Sequence, residues 1–428
     1  MTEKEPTKFF FKKHLLNLYI RLSLFGLFFI ALRFAVLSYL SALFFDKLEL
    51  IINVSLITLI IFLLALRFLL HINNAIPFRQ IKFLTGVLIL FLFITIQILS
   101  YMENPAIRKP FTFRIGDLNL HPLIFALGIE TFTTYFQKAK KYLYLIHFLI
   151  MVLVLVSSYF NYKYTGRFSL FVDVQWLGKD VIPNYHAIAD TFAIVTLFLT
   201  WFTKDSIVKK ITLFIISFLI LFLCGSRNSL FVFTVSWILL FFNLYLTKLQ
   251  NKRIFIQRMT SAFFAFMLLA ILISLLASLT QKFAEQTYQK FLDVFLGVDE
   301  SARLRQWQLK QIPEFLRSDF ILTGKFMYEV EEGLGQGSYV HNLLSIWMSY
   351  GLIPFIFFLA WALWIMLDKI ITFSVEETDP LRFAIILYGF LSILIARAYT
   401  WPFFWFSFLF GCAEPMSIST RSCVDFST

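Results

Sequence analysis

The chain has 428 residues, of which 59% are hydrophobic and 15% charged, and its formal net charge is +12. Soluble globular domains have about a quarter charged residues, so this composition excludes an ordinary soluble protein. Repeated apolar runs, each long enough to cross ~30 Å of hydrocarbon, predict an all-α membrane protein with many spans. In that class a positive net charge indicates basic cytoplasmic loops, and not a nucleic-acid partner.

About 12 apolar runs are predicted to be transmembrane helices. They cover residues 22–44, 48–70, 80–100, 116–136, 142–160, 185–203, 207–224, 228–247, 258–280, 342–367, 382–398 and 402–412. Glu130 interrupts the fourth run, and no internal repeat is evident. The chain therefore divides into residues 1–280 with nine spans, a long loop at 281–340, and residues 341–428 with three spans and a tail.

Loop charges predict the orientation, because short cytoplasmic loops of membrane proteins are rich in lysine and arginine. With the N-terminus inside, most basic loop residues lie on the cytoplasmic side. They are Lys8, Lys12, Lys13, Arg67, Arg79, Lys82, Lys138, Lys140, Lys141, Lys204, Lys209, Lys210, Lys248, Lys252, Arg253 and Arg258. The acidic loop around residues 368–382 is an exception. Both termini are therefore predicted to be cytoplasmic, and the loop at 281–340 is predicted to lie on the outer side.

The long outer loop contains a stretch with helical periodicity, "DESARLRQWQLKQIPEFL". Leu304 and Trp307 lie on one broad face of this predicted helix, and Arg303 and Lys310 lie on the opposite arc. Such a helix suits the outer membrane–water boundary or the cover of a cavity. Loops of this length usually have a function, so the segment is a candidate part of an active site.

Arg227 lies in "CGSRNS", the tight outer turn between the seventh and eighth spans. Arginine is biased toward the cytoplasmic side, so its presence in a short outer turn is unexpected. One interpretation is an arginine that extends its charge to the interface. The other is an anion clamp, because a guanidinium group stays charged and binds phosphate with two parallel hydrogen bonds.

His341 and Asn342 stand where the long loop meets the tenth span. One interpretation assigns His341 no function and treats it as a histidine at the membrane boundary whose hydrogen bonds are satisfied. Because the residue lies at a helix N-terminus near outer-face arginines, it is also a candidate neutral general base. No metal-ligand cluster, paired glycosidase carboxylates or glycine-rich phosphate loop is present, so no metal and no cofactor are predicted. Outer arginines and one base suit a reaction in which a diphosphate leaves a sugar carbon.

The order of these elements resembles the bacterial O-antigen polymerase and ligase superfamily of lipid-linked glycan transferases. The resemblance covers residues 165–367 and includes Pro183–Ala187, Ser226–Arg227, Arg303 with Trp307, Gly324, His341–Asn342 and Gly351. The family often has Gly-x-Gly where this chain has Gly324-Lys325-Phe326, and Gly-x-x-Gly where it has Gly351 to Pro354.

The resemblance implies a C-type glycosyltransferase-like fold with one long periplasmic loop and an active site on the periplasmic face of the inner membrane. It implies an undecaprenyl-diphosphate-linked oligosaccharide as donor, the lipid bilayer as surroundings, and a chain-length regulator and a flippase as further partners. The expected catalytic residues are His341, Arg227 and Arg303. The expected substrate-binding residues are Arg305, Arg167, Asn342 and Asn184, and Arg305 competes with Arg303 as the second phosphate ligand.

The apolar residue that follows the His341–Asn342 pair is typical of polymerases, which join lipid-linked repeat units. The expected function is therefore polymerisation of O-antigen or a related surface polysaccharide. A ligase that transfers the glycan to lipid A–core is the first alternative. A transporter of lipid-linked oligosaccharide is the second, although transporters commonly show inverted repeats and charges at the membrane midplane.

Overall fold

The computed structural model of the chain describes most of the predicted spans. The described residues are 5–37, 48–72, 81–103, 120–166, 170, 185–203, 206–246, 320–326, 342–371, 379–395, 397 and 401–413. The ninth predicted span and most of the long loop lie outside these residues.

The described part of the chain is all-helical, with no strand. Its helices are α1 (Glu5–Leu32, continuing as a π-helical turn, Arg33–Leu37), α2 (Leu48–Ile72), α3 (Ile81–Glu103), α4 (Leu120–Thr165), α5 (Tyr185–Phe202), α6 (Ile207–Cys224), α7 (Arg227–Leu246), α8 (Leu344–Tyr350), α9 (Leu352–Ile371), α10 (Asp379–Ile395) and α11 (Pro402–Cys412).

Six helices in the described ranges are long and apolar enough to cross a membrane, namely α1, α3, α4, α5, α6 and α9. α2, α7, α10 and α11 provide shorter apolar segments. A multi-pass membrane protein is therefore supported, while the count of twelve spans and the periplasmic loop remain predictions.

α4 is one helix of 46 residues that contains most of the fourth predicted span and all of the fifth. Phe125 and Ile146 line the same apolar cavity, together with Phe28 of α1. The ring of Phe28 also lies 5.2 Å from that of Tyr142. A straight helix would hold Phe125 and Ile146 roughly 30 Å apart, so α4 bends back on itself between them. Its two halves thus pack as two segments, although no turn separates them.

α5 is the centre of the bundle, and its residues from Ala187 to Trp201 are all buried. A helix that is apolar around its whole circumference is expected to be surrounded by other helices. α4, α6, α7 and α10 all pack against it. Phe198 of α5 meets Phe406 and Phe410 of α11 at ring-centroid distances of 6.3 and 5.1 Å, which continues the aromatic core across the bundle.

The ends of several helices lie together at one end of the bundle, around Phe34, His121, Phe403, His186 and Ser226. We call this end the network face. The ring of Phe34, in the π-helical turn after α1, lies 4.9 Å from His121 at the start of α4 and 5.2 Å from Phe403 at the start of α11. His186 at the start of α5 reaches Ser226 just before α7. The predicted orientation places all these termini on the outer side of the membrane. Their grouping agrees with that orientation, and the side itself remains a prediction.

Candidate functional site

A tight turn of two residues, Gly225 and Ser226, joins α6 to α7 and places Arg227 at the first position of α7. Gly225 has a φ of 72°, in the left-handed region that glycine adopts without strain, and its N–H donates to Phe222 O at 2.9 Å. Arg227 is half-buried, and its side chain interacts with neighbouring groups. The tight turn predicted around this arginine is therefore confirmed.

A buried ion pair lies directly beside this turn. Arg397 Nε donates to Asp190 Oδ2 at 3.2 Å, and the side chains of Arg397 and Asp190 are 5% and 0% exposed. The guanidinium group also lies 4.6 Å from the centre of the Trp401 ring. Because an isolated charge is very costly to bury, this pair is expected to need further hydrogen bonds.

Three hydroxyl groups supply those hydrogen bonds. Arg397 Nη2 donates to Ser226 Oγ at 3.2 Å and to Ser229 Oγ at 2.9 Å. Ser229 donates to Asp190 Oδ1 at 2.5 Å, and Tyr388 OH donates to the same oxygen. Both carboxylate oxygens of Asp190 therefore accept hydrogen bonds. A buried polar group with this many internal hydrogen bonds holds its helices in one arrangement.

His186 extends this group toward the half-buried start of α5. Its Nδ1 lies 3.1 Å from Ser226 Oγ, and its ring centre lies 3.9 Å from that of Tyr185. We call His186, Asp190, Ser226, Ser229, Tyr388 and Arg397 the polar network. It joins α5, α7 and α10 immediately beside Arg227, at the network face.

Asn342 has a local role at the start of α8. Its Oδ1 accepts the backbone N–H of Leu344 at 2.9 Å, and its carbonyl oxygen accepts the hydroxyl of Ser345 at 2.7 Å. A side-chain oxygen that accepts the backbone N–H two residues later closes an Asx turn, which here leads into α8. The part of Asn342 that remains for a substrate is its amide NH₂ group, and binding by that group stays a prediction.

Gly324 and Gly351 fit against each other at the break between α8 and α9. Their φ angles are 69° and 89°, in the left-handed region. A Cβ atom on Gly324 would overlap the backbone of Gly351, and one on Gly351 would overlap the carbonyl oxygen of Leu322. Both glycines singled out in the sequence are thus required by one close backbone contact.

Backbone hydrogen bonds hold the two segments together at this contact. Leu352 N–H donates to Ile321 O at 3.1 Å, and Lys325 N–H donates to Met348 O at 2.7 Å. The described part of the long loop, residues 320–326, is therefore fixed onto the helix break. This contact lies just beyond α8, the short helix that begins after His341 and Asn342.

The other candidate residues from the sequence lie outside the described residues. They are His341, Arg303, Arg305, Arg167 and Asn184. Their assigned roles stay predictions. In the part of the chain that the structure describes, no group of three or more His, Cys, Asp or Glu side chains is placed to hold a metal ion.

The sequence reading missed Asp190, Ser229, Tyr388 and Arg397. Two signals could have indicated the charged members, because an ionisable residue within an apolar span usually has a partner and a function. Asp190 is the acid of the sixth predicted span, and Arg397 lies at the end of the eleventh. Their pairing could not be read from the sequence, since 207 positions separate them.

Comparison of the chain with known protein families, with characterised proteins and with solved structures finds no match in any of the three.

Proposed function

We propose that the chain is a glycan polymerase on the periplasmic face of a bacterial inner membrane. It joins repeat units of O-antigen, or of a related surface polysaccharide, that are linked to undecaprenyl diphosphate. The observation that supports this proposal most is the placement of Arg227 at the first turn of α7, beside a buried polar network. A helix N-terminus and a guanidinium group together favour a diphosphate.

In the proposed reaction a hydroxyl of the acceptor sugar attacks the anomeric carbon of the donor. The bond between that carbon and the diphosphate oxygen breaks, and the electron pair leaves with the diphosphate. Arg227 and Arg303, or Arg305 in its place, stabilise the growing negative charge. A histidine on the same face takes the hydroxyl proton, and the sequence pattern indicates His341 for this role. Arg167, Asn184 and Asn342 are proposed to contact the sugars.

The Asp190–Arg397 pair favours a second candidate, a transporter of the lipid-linked oligosaccharide. Charged residues buried among membrane helices commonly mark transport pathways. An enzyme and a transporter would differ in the membrane leaflet on which their substrate accumulates when the protein is inactive.

Replacement of Arg227 by Ala in the native host tests the proposal. The variant is expected to insert normally and to lose about 100-fold of its activity, because one lost charged hydrogen bond at a leaving group costs ~3 kcal/mol. Arg227→Lys should recover little, since an ammonium group cannot bind phosphate with two parallel bonds. Arg21→Ala, which removes an exposed arginine from α1, is the matched control and should behave as wild type.

The products distinguish the candidates. Loss of a polymerase leaves lipid A–core with at most one repeat unit. Loss of a ligase leaves bare core and long polymer on undecaprenyl diphosphate, and loss of a transporter traps repeat units on the cytoplasmic leaflet. A full ladder of chain lengths from a well-expressed Arg227→Ala strain would contradict the role of Arg227.

A further inference from the structure

The hydrogen bonds of the polar network determine which nitrogen of His186 holds a proton. Ser229 donates its only hydroxyl proton to Asp190. The hydrogen bond of 2.6 Å between Ser226 and Ser229 must therefore be donated by Ser226. Ser226 thereby gives its only hydroxyl proton to Ser229 and can only accept from its other neighbours, Arg397 and His186. The hydrogen bond between His186 and Ser226 must therefore be donated by His186 Nδ1. Neutral His186 thus has its proton on Nδ1 and its acceptor lone pair on Nε2.

The same hydrogen bonds form a directed chain from His186 to a buried carboxylate. His186 donates to Ser226, Ser226 to Ser229, and Ser229 to Asp190. Each donor in such a chain polarises the next one. Arg397 donates to both serines and pairs with Asp190, so the chain fixes the neutral tautomer of the ring and leaves Nε2 as its acceptor. In a hydrolase triad a buried carboxylate fixes the tautomer of the histidine through a direct contact.

The position of His186 suits a reacting group. It is the second residue of α5, it is half-buried, and the residue that it contacts, Ser226, precedes Arg227 directly. The Asp190 end of the chain is fully buried, so the open end of the chain is the histidine. His186 and Arg227 therefore lie together at the network face.

We propose that His186 Nε2 takes the proton from the acceptor hydroxyl. This assignment rests on the proposed function. As the O–H bond breaks, its proton moves to Nε2. The oxygen forms a bond to the anomeric carbon of the donor, and the diphosphate leaves with the electron pair of the broken C–O bond. The assignment competes with the one that the sequence pattern indicates for His341.

Replacement of His186 by Asn or by Gln tests the roles of its two ring nitrogens separately. His186→Asn places an amide N–H near the position of Nδ1, so it keeps the bond to Ser226 and removes the base. His186→Gln places its amide near Nε2 and gives up the bond to Ser226. His341→Asn is the matched control for the competing assignment.

Purified protein in lipid nanodiscs, supplied with lipid-linked repeat units, is the system for the measurement. His186→Asn is expected to bind the lipid-linked donor and to melt as wild type does, while its kcat falls ~10²–10⁴-fold, the usual effect of removing a positioned base. Added imidazole is expected to restore part of the rate to His186→Ala, which a purely structural role would not allow.

Three outcomes overturn the assignment. The first is a wild-type rate in His186→Asn. The second is loss of rate only in proportion to loss of donor binding or of folded protein. The third is full loss in His341→Asn with a normal rate in His186→Asn, which leaves the proposed function intact and returns the base to His341. If wild-type protein makes no polymer while the donor binds, the proposed function fails, and the assignment fails with it.

Discussion

The Asp190–Arg397 pair and the Arg67–Glu130 pair are both buried between helices, but they have different surroundings. Arg67 Nη2 lies 2.9 Å from Glu130 Oε2, with side-chain exposures of 7% and 12%. The Arg67 guanidinium lies 5.8 Å from the centre of the ring of Tyr19, whose hydroxyl donates to a backbone carbonyl of α4. This pair links α2 to α4 roughly 20 Å along α1 from the network face.

The Asp190–Arg397 pair, by contrast, is hydrogen-bonded to three hydroxyl groups and leads to a half-buried histidine. Replacing a buried ion pair by apolar residues is often neutral for stability, so neither pair need exist for stability alone. The hydroxyl chain connects the Asp190–Arg397 pair to His186 at the network face. We infer that the Arg67–Glu130 pair is a structural link and that the polar network has a chemical role.

The largest effect on stability is expected when only one residue of each ion pair is replaced. Arg397→Leu leaves Asp190 as an unpaired buried charge, and Arg67→Leu does the same to Glu130. Each should lower the free energy of unfolding by ~3–5 kcal/mol. Thermal melting of the detergent-solubilised protein, followed by size-exclusion chromatography, measures the loss.

The double replacements then distinguish the two pairs. Asp190→Leu with Arg397→Leu should recover only part of the melting temperature, because the buried Tyr388 hydroxyl loses its acceptor, and it should not recover the proposed glycan transfer. Glu130→Leu with Arg67→Leu should recover both, because the Tyr19 hydroxyl beside that pair keeps its bond to the carbonyl oxygen of Leu127. Normal transfer in the first double variant would show that the polar network is as purely structural as the other pair.

A smaller effect is expected at two glycines that share a conformation but not their surroundings. Gly225 and Gly324 have φ angles of 72° and 69°, yet a Cβ on Gly225 meets nothing within 4 Å while one on Gly324 overlaps backbone. Gly225→Ala should cost only the left-handed strain of ~1 kcal/mol, whereas Gly324→Ala should cost about 2–4 kcal/mol. The difference in melting temperature measures the overlap, and equal values would contradict it.

The smallest effect is expected at an ion pair that is partly exposed. Lys82 Nζ lies 2.5 Å from Asp368 Oδ1, with side-chain exposures of 28% and 26%. Exposed pairs contribute at most ~1 kcal/mol, so Asp368→Asn should barely change the melting temperature or the transfer rate. Added salt should reduce even that difference. A drop in melting temperature as large as that of Arg397→Leu would contradict the expectation that a partly exposed ion pair contributes less stability than a buried one.

Most helices could be predicted from the sequence, because a membrane span is a local property of about 20 consecutive residues. The predicted runs at 185–203, 207–224 and 402–412 agree closely with α5, α6 and α11. The bend inside α4 could not be predicted, since the lysines at 138–141 indicated a loop between two helices. The chain instead stays helical through the bend, and α5 packs against both halves of α4, where Phe198 meets Phe132 and Phe192 meets His147.

For the candidate site, the sequence by itself determined the elements whose signal is local. The glycine–serine turn with an arginine after it was readable because it lies directly between the two helices that it joins, whereas Gly324 and Gly351 were indicated only by the family resemblance. Only the tertiary structure decided that Asp190 pairs with Arg397 and that Gly324 meets Gly351. The physical reason is that such contacts depend on how helices distant in sequence pack. The proton position on His186 depends in turn on the hydroxyls of Ser226, before α7, and Ser229, in α7, which lead back to Asp190 of α5.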